Sequence, residues 1–180
     1  MVDDPPPPSR HAAETPTPWV VRHAGAIAGG GRVLDLACGG GRNARWLARR
    51  GFRVLAVDRD RDALSRLEGE GVETRCVDLE GPQWPLAGEV FDGIVVTRYL
   101  YRPRLADLAS ALAPGGVLIY ETFMRGNEAY GKPSNPDFLL RPGELREIAA
   151  GAGLREVAFA EGYVDSPKPA MRQAVCAVRD

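Results

Sequence analysis

The stretch that most constrains this chain is VLDLACGGGRN, Val33 to Asn43. It opens as a buried strand, turns through three successive glycines and passes directly into a helix. A strand that feeds a helix in this way cannot close a tight hairpin, so the next strand lies parallel to it and is reached by a crossover. The glycine turn leaves backbone N–H groups uncovered at a helix N terminus, where a ligand can approach bare main chain.

The rest of the chain repeats the pattern. Arg32 to Cys38, Arg53 to Val57, Val72 to Val77, Phe91 to Val96 and Gly116 to Phe123 are β-rich and apolar through and through, as strands buried on both faces must be. Between and around them lie helical runs. Trp19 to Ile27 recurs at helical spacing and stops at Gly29-Gly30-Gly31. Arg42 to Arg50 ends at Gly51, and Asp60 to Glu68 sets Ala63, Leu64 and Leu67 on one side. Arg102 to Ala113 starts with Pro103 in its first turn, and Glu144 to Ala152 stripes Leu145, Ile148 and Ala149. The last two strands, Leu154 to Val164 and Gln173 to Arg179, are joined by a loop too short for a crossover helix and are predicted to pair antiparallel. The fold class is therefore α/β: a doubly wound, mostly parallel sheet with helices on both faces.

Composition bounds the partners. The chain has 180 residues and is 44% hydrophobic, enough for one domain with its own core, expected over 19–180. Residues 1–18, with Pro5 to Pro8, Pro16 and Pro18 and little apolar material, are expected to be a disordered or extended arm. Its 23 basic and 24 acidic residues nearly cancel, so no bulk field attracts a polyanion, and nucleic acid is not an expected partner. No apolar run is long enough for a membrane span or a secretory segment, which points to a soluble cytoplasmic protein. Cys38, Cys76 and Cys176 sit in apolar runs and are expected to be reduced core thiols. With only His11 and His23 to add, no metal-site spacing is present. Arg42, Arg45, Arg49 and Arg50 are expected on a solvated helix face.

Gly39-x-Gly41-x-x-Ala44 satisfies the dinucleotide fingerprint, and Asp58, nineteen residues past Gly39, stands where a ribose-binding acid belongs. Asp35 argues against a dinucleotide. It lies on the strand itself, where it would repel a pyrophosphate but can organise the loop and meet a cationic amino-acid moiety. Asp78 closes the third strand in CVDLEG, placed to accept from an adenine amino group while Leu79 covers the ring. The ligand that answers these acids is an aminoacyl nucleoside.

At these residues the sequence resembles the class I S-adenosylmethionine-dependent methyltransferases, through VLDLACGGGR, VLAVDRD, CVDLEG and FDGIVVTRYL in order, over Trp19 to the C terminus. The variant DLACGGGRN, followed by Ala44, Trp46 and Leu47, looks most like the branch holding tellurite-resistance and small-molecule methyltransferases. The resemblance implies a seven-stranded Rossmann-like sheet with an antiparallel last strand, S-adenosylmethionine as cosubstrate and S-adenosylhomocysteine as product. It implies cosubstrate contacts from Trp19, Arg22, Asp35, Ala37, Gly39, Gly41, Asn43, Asp58, Arg59, Asp78, Leu79, Thr97 and Arg98, with Gly39 and Gly41 at the methionine portion. Acceptor contacts are expected from Tyr99, Tyr101, Glu121, Thr122, Asn127 and Tyr130. Glu121 is the first choice for a base, with Tyr101 and Tyr130 behind it, and Phe123 to Leu140 is expected to form a mobile cover. Methyl transfer from a sulfonium requires orientation more than acid–base power, so the absence of a GxSxG elbow is consistent. A small-molecule acceptor is the leading reading. A nucleic-acid or protein methyltransferase, and a noncatalytic binder of the same fold, remain open.

Overall fold

The computed structural model describes residues 15–180. Most of the expected N-terminal arm lies outside them. Thr17, its next-to-last residue, is buried: its N–H donates to Asn43 Oδ1 at 2.9 Å, so the described end of that stretch belongs to the packed domain.

Seven strands form one sheet in the order β3-β2-β1-β4-β5-β7-β6. They are β1 (Arg32–Leu36), β2 (Arg53–Asp58), β3 (Glu73–Cys76), β4 (Phe91–Thr97), β5 (Leu112–Phe123), β6 (Leu154–Val164) and β7 (Ala170–Arg179). The first five pair in parallel, and β7 runs antiparallel between β5 and β6, as expected. The helices are α1 (Pro18–His23), α2 (Arg42–Arg49), α3 (Arg61–Ser65), α4 (Leu105–Ser110) and α5 (Glu144–Gly151).

Strand side chains alternate between faces, which splits the core in two. Leu34, Leu36, Val57, Ile94, Val96 and Tyr120 pack with Leu108 of α4 and Leu145 and Ala149 of α5. Val33, Val54, Ala56, Val95 and Ile119 pack on the other side with Trp19 and Val20 of α1, Leu47 of α2 and Leu64 of α3. Asp35 is two residues from Val33, so its carboxylate enters the α1–α2 face.

Several boundaries differ from expectation. β3 is a sheet edge bearing Glu73 and Arg75, and Cys76 is exposed there, while Cys38 is half-buried and only Cys176 is buried. An edge strand lacks a second neighbour, so its apolar flanks need not be covered. α3 is about half its expected length, ending at Ser65 before a run of turns that includes Gly69 and Gly71 with φ of 78° and 73°, and Asp60 caps its start, accepting from Ala63 N. α4 is preceded by a 3₁₀ turn over Arg102–Arg104, and β5 starts at Leu112, where the register slips between the Phe91 and Gly93 pairings.

Candidate active site

The sheet order reverses between β1 and β4, so the loops leaving their carboxyl ends part and open a crevice there. One residue beyond each strand the backbone is forced left-handed: Ala37 has φ 53° and Arg98 φ 57°, the only such non-glycine residues among those described. Each costs on the order of 1–3 kcal/mol and persists only where surrounding bonds hold it. Cys38 N–H donates to Val57 O at 3.0 Å, and Arg98 N–H donates to Glu121 O at 2.9 Å.

Asp58 closes the glycine turn from the side. Its Oδ2 accepts from Gly39 N at 2.8 Å and its Oδ1 from Asp60 N at 3.0 Å, leaving further lone pairs toward the crevice. Gly39 (φ 54°) faces open space, since a Cβ placed there meets nothing within 4 Å. Gly41 (φ 74°) serves packing instead: a Cβ there would fall 2.4 Å from Leu67 Cδ2, so this glycine seats α2 against Leu67.

Asp35 is almost wholly buried, and neither of its carboxylate oxygens has a hydrogen bond. Burial raises its pKa to about 7. The Arg42 charge and the Ala44 N–H nearby pull it down, without either closing a hydrogen bond, and Asp58 pushes it up. Arg42 is not on the solvated face expected for it. Its Nη2 donates to Thr17 Oγ1 and Thr97 Oγ1, both at 3.1 Å. Asn43 Nδ2 also donates to Thr97 Oγ1, at 3.0 Å, so Asn43 and Thr97 are spent in a buried network that fixes α2 to β4. Arg45 donates to Gly40 O and Arg66 O, while Arg49 pairs with Glu70 and Arg50 lies over Trp46.

Beside Gly39 a cavity of about 240 Å³ is lined by Ala37, Asp58, Arg59, Val77, Asp78, Leu79, Glu80 and Tyr99. Asp58, Arg59, Asp78 and Leu79 are thus brought together. Tyr99, expected on the acceptor side, stands here instead, and the Tyr101 hydroxyl donates to Glu80 O at 3.3 Å. The reason is the turn at Arg98, which carries the chain back along the β1 side.

A second cavity, about 570 Å³, opens on the β5–β7 side and is lined by Arg98, Phe123, Asn127, Tyr130, Lys132, Lys168, Arg172 and neighbours. Glu121 lies buried behind it, accepting from Arg172 Nη1 at 2.6 Å. Asn127 reaches the cavity wall with both ends of its amide engaged: Nδ2 donates to Pro133 O, and Oδ1 accepts from Met171 N. Thr122 is buried in β5. The 123–140 segment is clamped at its base by the Met124–Leu140 bridge, and Arg102, paired with Glu144, holds its C-terminal part by donating to the Asp137 and Leu139 carbonyls. Trp19 is a core residue whose Nε1 donates to Val175 O at 3.2 Å, and exposed Arg22 lines a smaller cavity with Glu121 and Arg172. Sequence reasoning did not single out Lys132, Lys168 or Arg172; their types and loop positions carry no motif.

The seven-stranded order with its inserted antiparallel β7, and acids at the ends of β1, β2 and β3, define the class I S-adenosylmethionine-dependent methyltransferase fold. A methyltransferase-domain family model matches residues 33–116, just under half of the chain. It is 33% identical over 126 residues to the ubiquinone biosynthesis O-methyltransferase of Acinetobacter baylyi, covering 62% of this chain and 51% of that one. The chain therefore spans about half the length of the curated relatives it matches. In structure it is similar to TehB from Haemophilus influenzae, with a TM-score of 0.75 at 21% identity over 89% of this chain and 61% of that one. It is also similar to a TehB-like methyltransferase from Corynebacterium glutamicum, with a TM-score of 0.64 at 23% identity over 90% and 88%. These likenesses bear on the fold. Among the described residues no helix is long and apolar enough to cross a membrane.

Proposed function

We propose that this chain is a cytoplasmic enzyme that transfers a methyl group from S-adenosylmethionine to a small-molecule acceptor. The observation that carries the reading is Asp35: a carboxylate buried at the carboxyl end of a central strand, with both oxygens unbonded. Such a group is costly unless a donor arrives, and an α-ammonium on an aminoacyl nucleoside is a donor of the right charge. The rest of the crevice agrees with it. Gly39 leaves room at the turn, Asp58 offers lone pairs to a ribose diol, and Asp78 with Leu79 edges the 240 Å³ cavity expected to hold adenine.

When bound, the cosubstrate supplies a methyl group already activated on a sulfonium, so the protein's share is to orient and to keep water out. Asp35 and Asp58 fix the two ends of the donor. The larger cavity beyond Arg98 receives the acceptor, and the similarity to ubiquinone biosynthesis O-methyltransferases favours a small molecule there. Glu121 is held by Arg172, so service as a proton acceptor requires that pair to open.

Calorimetry with S-adenosylhomocysteine, followed by S-adenosylmethionine turnover against a panel of small acceptors, tests the reading. The nucleoside product is expected to bind at micromolar level and NAD not at all. Heat with NAD and none with S-adenosylhomocysteine would reverse the assignment. Retention on nucleic acid at physiological salt would favour a polymeric acceptor instead.

A further inference from the structure

Of the 23 basic residues in this chain only two are lysines, Lys132 and Lys168, and both line the 570 Å³ cavity. They come from separate loops, one after β5 and one between β6 and β7, in Gly131-Lys132-Pro133 and Pro167-Lys168-Pro169. A proline after each lysine biases it to extended backbone, which holds the side chain out from its loop. No ion-pair partner faces either ammonium among the described residues. Among the described residues that line the cavity there is no Asp or Glu. With the chain as a whole at net charge −1, this positive concentration is local to one cavity.

Arg172 is the second observation. It is only 7% exposed and lines the same cavity. One arm of its guanidinium is satisfied by Glu121, yet its Nε is buried without a hydrogen-bond partner. An unmet donor on a buried charged group is expensive, and an entering oxyanion relieves it. Around it the walls are apolar and partly flat. The Phe123 ring centroid is 5.4 Å from Arg172 Cζ, Tyr130 packs on Tyr163 at 5.3 Å between centroids, and Pro167 and Pro169 complete the rim. A cavity of this volume suits a small ligand.

On the methyl-transfer reading above, we propose that the acceptor is a small organic acid. Its planar apolar body lies between Phe123, Tyr130 and the proline rim, and its carboxylate is held by Arg172, Lys132 and Lys168. The guanidinium supplies a directed bond from a fixed position, and the two ammonium groups add charge on flexible stems.

The test uses the whole protein saturated with S-adenosylhomocysteine. Benzoate and cinnamate are titrated by calorimetry, each against its neutral amide, with inorganic phosphate alongside. The acids are expected to bind at least tenfold more tightly than their amides and than phosphate. The Lys132→Met/Lys168→Met variant should lose at least tenfold in acid affinity while its S-adenosylhomocysteine affinity stays within twofold. Acids and amides binding alike, phosphate matching the acids, or the double variant keeping parental affinity would each overturn the inference. The initial S-adenosylhomocysteine titration separates the two levels. If that compound fails to bind, the methyl-transfer reading falls; if it binds and no acid preference follows, only the organic-acid assignment falls.

Discussion

Replacing Asp35 by asparagine isolates the energy stored in its buried carboxylate. The group is raised from 3.8 to about 7 in the folded chain, with burial as the main cause. A raised acid favours folding fully below its unfolded pKa and loses that contribution as pH climbs through the folded value. Above pH 7 the full difference, about three pKa units, amounts to about 4 kcal/mol against folding. About 1.7 kcal/mol of this has already appeared by pH 5, so the change between pH 5 and pH 8 is about 2.5 kcal/mol. In a chain of this size that is a fall in Tm of roughly 5–10 °C for the parent relative to Asp35→Asn. The amide is as short of partners as the acid, so absolute stability is not the readout; the divergence of the two curves with pH is. Thermal unfolding of both proteins without ligand at pH 5, 6, 7 and 8 measures it. Curves that stay parallel across this range would refute the account of Asp35, whatever their offset. The same reasoning makes S-adenosylhomocysteine binding tighten from pH 5 to pH 8 in the parent, as an arriving ammonium favours the ionised acid, and stay flat in the variant.

Other outcomes follow from the same geometry. Asp58→Ala should lower S-adenosylhomocysteine affinity by about 2–4 kcal/mol, roughly thirtyfold to a thousandfold, with the far-ultraviolet spectrum unchanged; parental affinity would leave Asp58 only as the tether of Gly39 and Asp60. Gly41→Ala should cost about 2–3 kcal/mol in urea unfolding, because Leu67 fills the space and the backbone is left-handed. Gly39→Ala should cost about 1 kcal/mol, from backbone alone, and equal losses at the two glycines would contradict the packing role of Gly41. Arg172→Leu should destabilise by about 3–5 kcal/mol by leaving Glu121 buried and unpaired, and a loss under about 1 kcal/mol would show the pair carries little weight. Hydrogen exchange over 123–140 should slow when product and acceptor are both bound, and Tyr130→Ala should reduce turnover more than S-adenosylhomocysteine affinity; unchanged exchange together with unchanged turnover would leave the cover without support.

What the sequence determined by itself was local and periodic. Alternating strand and helix runs with glycine stops dictate a parallel, doubly wound sheet, because those signals act within ten residues and do not wait for distant partners. The short loop at Pro167 and Pro169 equally dictates an antiparallel end. In the site, Asp35, Asp58, Asp78, Leu79 and the glycine turn were legible because each sits at a fixed offset from a strand end, and strand ends converge in this topology. The tertiary structure alone decided which neighbours those residues meet. Helical spacing could not say that Arg42 turns inward to Thr17 and Thr97, nor that Gly41 is glycine on account of Leu67, twenty-six residues away. It could not show that the left-handed turn at Arg98 sends Tyr99 and Tyr101 to the β1 side, or that Glu121 spends an oxygen on Arg172, fifty-one residues on. Two lysines in separate loops become one charged wall only when β5 and β7 are paired. Contacts of that range depend on how the layers pack, and no window of sequence contains both partners.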